Sequence, residues 1–390
     1  MKEYLERHLE QPLKEAVATF PVVLVTGPRQ AGKSTLLQHL IKGYTYVSFD
    51  DMILRDLAEK DPQLFLKTYP PPVILDEIQY VPSLLHEIKK AVDGNRRKMG
   101  QYLLTGSQVF PLMKGVSESL AGRIMVFELY PLSWEEIPHV NPLDEMETAK
   151  QMLQGFYPEF QVTPHLNPKF WHSAYLTTYL ERDLRAMRKI QDLGQFQRFL
   201  VLLAARAGQL LNLSEVGKEC GISQTSAKDW LTLLQATSII HLLEPFARNL
   251  TKRVIKSPKL YFVDTGLLAY LLRIETTTQL IHSPFAGHLF ENMVIMEVIK
   301  RFAGKGEQAP CYFYRSQRGT EVDLLIDHGD RLDGYEIRFT ASPNQRMTHS
   351  LEVAAKDLPL KRKSLLCLRQ DPIPFTNGII ARHWSDGVGS

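Results

Sequence analysis

Val22-Val23-Leu24-Val25-Thr26-Gly27-Pro28-Arg29-Gln30-Ala31-Gly32-Lys33-Ser34-Thr35-Leu36-Leu37 reads as a buried strand, a loop bracketed by two glycines, and a helix that opens on Lys-Ser-Thr. Its spacing is G-x-x-x-x-G-K-[ST]. Successive backbone N–H groups at the start of a helix form a nest for an anion. Lys33 adds a point charge for β- and γ-phosphates, and the Ser34 hydroxyl suits Mg²⁺. ATP is therefore expected on Gly27, Pro28, Arg29, Gln30, Ala31, Gly32, Lys33, Ser34 and Thr35. The alternative is a glycine-rich turn that binds nothing, and the ordered run of strand, loop, Lys-Ser and helix argues against it.

A chain of 390 residues exceeds one small core, so two or three domains are expected. Hydrophobic residues make up 44% and charged residues 23%, as in a soluble globular protein. No apolar run is long enough to span a bilayer, and Met1-Lys2-Glu3-Tyr4 lacks a signal-like apolar core, so a cytoplasmic location and no membrane partner are expected. Cys220, Cys311 and Cys367 lie far apart without C-x-x-C spacing and read as buried thiols. A net charge of +3 is too small to mark a nucleic-acid binder, so any DNA contact must rest on a local patch.

Upstream of the loop, Tyr4, Leu5, Leu9, Leu13 and Val17 have helical spacing and suggest an amphipathic helix on the first strand, without chemistry of its own. Downstream, Gly43 reads as a helix C-cap and residues 44–49 as a strand. Val73-Ile74-Leu75-Asp76-Glu77 is an apolar strand ending in two acids. There Asp76 suits Mg²⁺ through water, and Glu77 suits orienting an attacking water. Tyr102-Leu103-Leu104-Thr105-Gly106-Ser107-Gln108 is a strand with polar groups at its C-terminal end, where ligands sit in open α/β sheets. Thr105, Ser107 or Gln108 are candidates to sense the γ-phosphate, with Ser107 assigned the catalytic role; a polar turn is the alternative. Arg123, at the entrance of the next strand, is either a solvated charge or an arginine finger supplied to a neighbouring subunit.

Together with Glu128-Leu129-Tyr130-Pro131-Leu132-Ser133, Gly155-Phe156-Tyr157-Pro158-Glu159 and residues 175–185, these motifs resemble the prokaryotic predicted AAA+ ATPases that carry a C-terminal domain of unknown function. The resemblance covers nearly the whole chain. It implies an α/β fold: a P-loop AAA-type parallel sheet with helices, then a winged-helix module and an α/β nuclease-like domain. It also implies Mg·ATP binding and a homo-oligomer, with a hexamer among the forms open to it. The expected divisions are an ATPase domain at 1–137, a helical linker or lid at 138–194, a winged helix at 195–275 and a nuclease-like domain at 276–390. Within the linker, Arg182 and Arg185 share a helix face, either as a lid on the nucleotide or in surface ion pairs.

In the middle region a helix capped at Asn212 or Ser214 and stopped by Gly221 is followed by one capped at Ser223, which is helix-turn-helix spacing. Gln224, Thr225 and Lys228 would face outward on the recognition helix. Residues 239–246 and 259–264 read as wing strands around Arg248, Lys252, Arg253 and Lys256, basic residues suited to phosphate backbone. The alternative is a winged helix used for packing. In the last region, strand alternation pairs Glu321 with Asp323 and Glu336 with Arg338 on shared faces. This resembles the PD-(D/E)xK nuclease core, and the resemblance makes Glu291, Asp323 and Glu336 the metal acids. Arg338 stands where that core has Lys, and a guanidinium is poorly suited to tuning a water nucleophile. Three functions follow as expectations: an ATPase acting on DNA, an ATP-gated nuclease, or a protein-remodelling or signalling ATPase with no nucleic-acid role.

Overall fold

The computed structural model describes residues 4–106, 116, 119–138, 144–163, 165–179, 192–247 and 257–386. Helix α1 (Glu10–Thr19) leads into β1 (Val22–Thr26), α2 (Lys33–Leu40), β2 (Thr45–Ser48), α3 (Met52–Lys60), α4 (Pro62–Thr68), β3 (Val73–Asp76), α5 (Leu84–Gly94), β4 (Tyr102–Thr105) and β5 (Ile124–Glu128). The five strands form one sheet in the order β2-β3-β4-β1-β5, with every neighbouring pair parallel. Strands β1, β3 and β4 are buried at every residue, so they are unbroken apolar runs rather than alternating ones. Because all run the same way, the loop after β1, the acids ending β3 and Thr105 ending β4 meet along one edge. Helix α2 stops at Leu40, short of Gly43, which instead turns the chain toward β2 at φ +82°.

The middle region contains α6 (Glu145–Gln154), α7 (Glu159–Val162), α8 (Pro168–Tyr179), α9 (Leu193–Ala204), α10 (Leu213–Cys220), α11 (Gln224–Ala236), β6 (Ile240–Leu243), β7 (Lys259–Phe262), α12 (Thr265–Leu271) and α13 (Thr277–Ile281). The side chain of Asn212 caps α10, Gly221 ends it at φ +70°, and Ser223 caps α11. Strands β6 and β7 pair antiparallel in a sheet of two.

The last region holds α14 (Ala286–Gly304), β8 (Cys311–Arg315), β9 (Glu321–Asp327), β10 (Leu332–Ile337), α15 (His349–Asp357), β11 (Leu360–Cys367), β12 (Ile373–Pro374) and β13 (Ile380–His383). Its mixed sheet has the order β12-β13-β11-β10-β9-β8, with β9 and β10 paired antiparallel. Helix α14 is buried continuously from Leu289 to Lys300, as a helix apolar nearly all round must be. One core runs from Tyr130 to Trp384, across both the middle and last regions. The Asn292 side chain fastens α14 to β7 by accepting from the Phe262 N–H and donating to its carbonyl, both at 2.7 Å. Among the described residues no helix is long and apolar enough to cross a membrane.

Candidate nucleotide site and a closed carboxylate cluster

The loop after β1 has its shape because two positions carry no side chain. Gly27, at φ +130°, passes so close to Leu129 that an added Cβ would stand 2.1 Å from its carbonyl oxygen. Gly32 is the N-cap of α2 in the left-handed region, at φ +94°. Between them the loop turns back on itself, and the buried Lys33 ammonium donates to the carbonyls of Gly27 at 3.0 Å and Pro28 at 2.8 Å.

At the end of β3, Asp76 is held by three hydroxyls. Ser34 Oγ donates to its Oδ1 at 2.6 Å, Tyr46 Oη donates to its Oδ2 at 2.6 Å, and Thr105 Oγ1 donates to Oδ1. Burial and the bond to Asp76 push the Tyr46 phenol up, so it stays a donor. Glu77 follows in the left-handed region, at φ 58° and ψ 45°, with its N–H on Thr105 Oγ1 at 3.0 Å and its carboxylate accepting from the Gln79 amide. Arg29, Gln30, Lys33, Ser34 and Glu77 line a cavity of about 480 Å³, which Tyr175 and Thr178 of α8 close from the far side. A second cavity of about 910 Å³ adjoins it, lined by Tyr4, Arg7, Gln38, His39 and Trp171 among others. The hydroxyl and carboxylate oxygens of Ser34 and Asp76 form a hard donor set of the kind that suits Mg²⁺.

Arg123 lies at the start of β5, the end of the sheet opposite the loop. Its Nε and Nη2 meet the Asp93 carboxylate at 2.6 and 3.1 Å, and Nη1 donates to the Ala121 carbonyl. Gln224, Thr225 and Lys228 are exposed on α11, facing outward as expected. Ser107, Gln108, Arg182, Arg185, Arg248, Lys252, Arg253 and Lys256 lie outside the described residues.

In the last region Glu291 from α14, Asp323 from β9 and Glu336 from β10 do converge, and Arg338 sits among them. Its Nη1 lies 2.7 Å from Asp323 Oδ2, which also accepts from the Ile337 N–H, and its Nη2 donates to Glu336. The unexpected member is Lys259, which β7 sends in from the middle region. Its ammonium, on a side chain only 2% exposed, stands 2.6 Å from Glu321, 3.1 Å from Glu291 and 3.9 Å from Asp323. Tyr261, two residues along the same strand, donates to Glu291 at 2.6 Å.

The charges of the cluster shift one another's protonation. Burial alone would lower the Lys259 ammonium, but the charges of Glu291, Asp323 and Glu321 outweigh it and hold the proton more tightly than usual. Burial, then the charge of Asp323, push the Glu291 carboxyl up to about 7 and raise Glu336 well above the usual carboxylate range. Lys259 and Tyr261 both donate to one oxygen of Glu291, and Arg338 donates to one oxygen each of Asp323 and Glu336, while Glu336 Oε1 is buried without a hydrogen-bond partner among the described residues. Among the described residues no group of three or more His, Cys, Asp or Glu side chains is arranged to hold a metal ion.

Sequence reasoning missed Tyr46, Arg7 and Lys259. Tyr46 was one residue of an edge strand, and the segment containing Arg7 was assigned no chemistry. For Lys259 there was a signal: a lysine heading the apolar run Leu260-Tyr261-Phe262 shares the inward face of Tyr261 by strand alternation.

Comparison with known proteins gives three consecutive family matches: an AAA domain at residues 19–138, a domain of unknown function (DUF8612) at 146–278, and another (DUF4143) at 286–385. An uncharacterized protein of Mycobacterium tuberculosis is 32% identical over 372 residues, covering 95% of this chain and 81% of the relative, and one of Mycobacterium bovis matches to the same extent. An uncharacterized protein of Methanocaldococcus jannaschii is 24% identical, covering 88% of this chain and 81% of its own. Among solved structures, a Walker-type ATPase of Pyrococcus abyssi aligns at 15% identity with a TM-score of 0.47, covering 69% of this chain and 96% of that one.

Proposed function

This chain, with an AAA domain at its N-terminal end and two domains of unknown function behind it, belongs to the family of its mycobacterial relatives; on that premise we propose that it binds Mg·ATP and hydrolyses it to ADP and phosphate. The observation that carries this reading is the contact of Ser34 with Asp76 at 2.6 Å, which joins the phosphate loop to the acidic end of β3 beside Glu77. Lys33 supplies charge to the β- and γ-phosphates. Glu77 orients and polarises the attacking water, with the Gln79 amide holding its carboxylate. Thr105, bonded to Asp76 and to the Glu77 backbone, keeps the two acids in register. Ser34 and Asp76 are the residues that would hold Mg²⁺, whose charge offsets that of the phosphates.

The test is phosphate release from Mg·ATP by the purified chain. Glu77→Gln is expected to keep nucleotide binding and lose turnover. Equal turnover in the variant, or none in the wild type, overturns the reading.

A second reading, action on DNA, is favoured by the exposed Gln224, Thr225 and Lys228 on the Ser223-capped helix, the position of a recognition helix if α10, α11 and the β6–β7 pair work as a winged helix. Duplex binding that weakens with salt and falls in Lys228→Ala supports it. Absent or salt-insensitive binding supports a protein-remodelling or signalling ATPase. The gated-nuclease alternative requires the closed cluster around Lys259 to open.

A further inference from the structure

The segment ahead of α1 is tied directly to the phosphate loop. We propose that Arg7 is a positioning residue for the nucleotide's phosphates, fixing the Ala31–Gly32 peptide so that the Gly32 N–H faces the anion. This inference rests on the ATP-binding reading above.

Arg7 Nη1 donates to the Ala31 carbonyl at 2.9 Å, Nη2 donates to the Tyr130 carbonyl at 2.7 Å, and Nε stands 3.2 Å from Glu136 Oε1. In a trans peptide the C=O and the following N–H point to opposite sides. A carbonyl drawn toward Arg7 therefore turns the Gly32 N–H away from it. Gly32 is the N-cap of α2, so that N–H belongs to the group at a helix start with no partner inside the helix. A loop peptide free to flip would present the carbonyl oxygen to a phosphate as often as the N–H, and the first of these repels.

The clamp is itself anchored. Glu136 Oε1 accepts from the His8 N–H at 2.7 Å, and Oε2 accepts from the Ser133 N–H at 2.9 Å. Burial works against its charge, but the Arg7 guanidinium and these N–H groups outweigh burial and keep it ionised. Arg7 is 8% exposed. Its planar fork serves the two carbonyls in different directions, which a lysine ammonium cannot reproduce in one geometry. Tyr130 lies just past β5, so the guanidinium also binds the phosphate loop to the chain leaving the sheet.

The experiment compares the dissociation constants of ADP and AMP by calorimetry on the full chain, for wild type, Arg7→Met and Arg7→Lys. AMP lacks the β-phosphate that the loop would cradle. Arg7→Met is expected to weaken ADP binding roughly 10- to 100-fold, the worth of one charge-assisted hydrogen bond, and to change AMP binding less than about threefold by the same reasoning. A parallel loss for both nucleotides assigns Arg7 a general structural role and overturns the proposal, as does unchanged ADP binding. If Arg7→Met does not fold, Arg7→Lys carries the same comparison, keeping the charge and losing the fork. Failure of the wild type to bind ADP overturns the ATP-binding reading itself, whereas wild-type binding with an unresponsive Arg7 overturns the positioning role alone.

Discussion

At the Ser34–Asp76–Glu77 corner, two acids end the parallel strand β3: Glu77 lines a cavity of about 480 Å³, and Asp76 is steadied by three neutral hydroxyls. Around Glu291, Asp323 and Glu336, acids of the same kind face the cations Lys259 and Arg338 of the chain itself. Both sets look alike as a list of residues, yet the first is held by hydroxyls beside a cavity and the second by cations of the same chain. The difference is one of topology. Parallel strands end together at an edge, whereas the second set lies between a buried helix and a sheet face, where an unbalanced carboxylate would be too costly to keep.

The largest effect that would sharpen this contrast is expected at the open corner. Lys33→Ala should lower ATP turnover roughly a thousand-fold, comparable with the loss of a transition-state charge contact, at a stability cost of about 1 to 3 kcal/mol from the two carbonyls it leaves without a donor; a variant as active as wild type would contradict the comparison. The closed cluster should respond the other way. Lys259→Met removes the partner of buried carboxylates and should cost about 3 to 5 kcal/mol of stability by urea denaturation, without altering turnover per folded molecule at permissive denaturant.

A third, pH-dependent effect separates the two further. The Glu291 carboxyl is raised from 4.5 to about 7 in the folded chain, so its favourable contribution is complete below pH 4.5 and is lost as pH rises through 7. The stability of wild type relative to Glu291→Gln should therefore decline across that window, by about 3 kcal/mol in all, and a flat difference would show that Lys259 already compensates the charge fully. Tyr46→Phe, which removes one hydroxyl from Asp76, should lower turnover by about tenfold. Smallest in stability is Arg123→Ala, whose ion pair with Asp93 is exposed at the surface and should not move the melting temperature measurably. If Arg123 acts on a neighbouring subunit, mixing Arg123→Ala with Glu77→Gln chains should restore part of the turnover that each lacks.

Much of the N-terminal architecture was legible because its rules are local. The run Val22 to Leu37 contains the strand, both glycines and the helix start in one continuous stretch, and β3 declares itself by four apolar-to-acidic residues. The caps Asn212, Gly221 and Ser223 were equally readable, since a cap acts within one turn of its own helix. Strand alternation paired Glu321 with Asp323 and Glu336 with Arg338, and only the resemblance implied that Glu291, Asp323 and Glu336 belong together. What neither supplied was the charge balance of that cluster, because its lysine comes from a different region.

The sequence by itself determined the strand, phosphate loop and helix start, the two acids that end β3, and the alternation that pairs Glu321 with Asp323 and Glu336 with Arg338. The tertiary structure alone decided that Arg7 reaches Ala31 and Tyr130, that Tyr46 reaches Asp76, and that Lys259 reaches Glu291 and Glu321. Periodicity and spacing set the face on which a side chain lies. Which opposite charge it meets there depends on how elements far apart in the chain pack together, and burial then makes that partner energetically decisive.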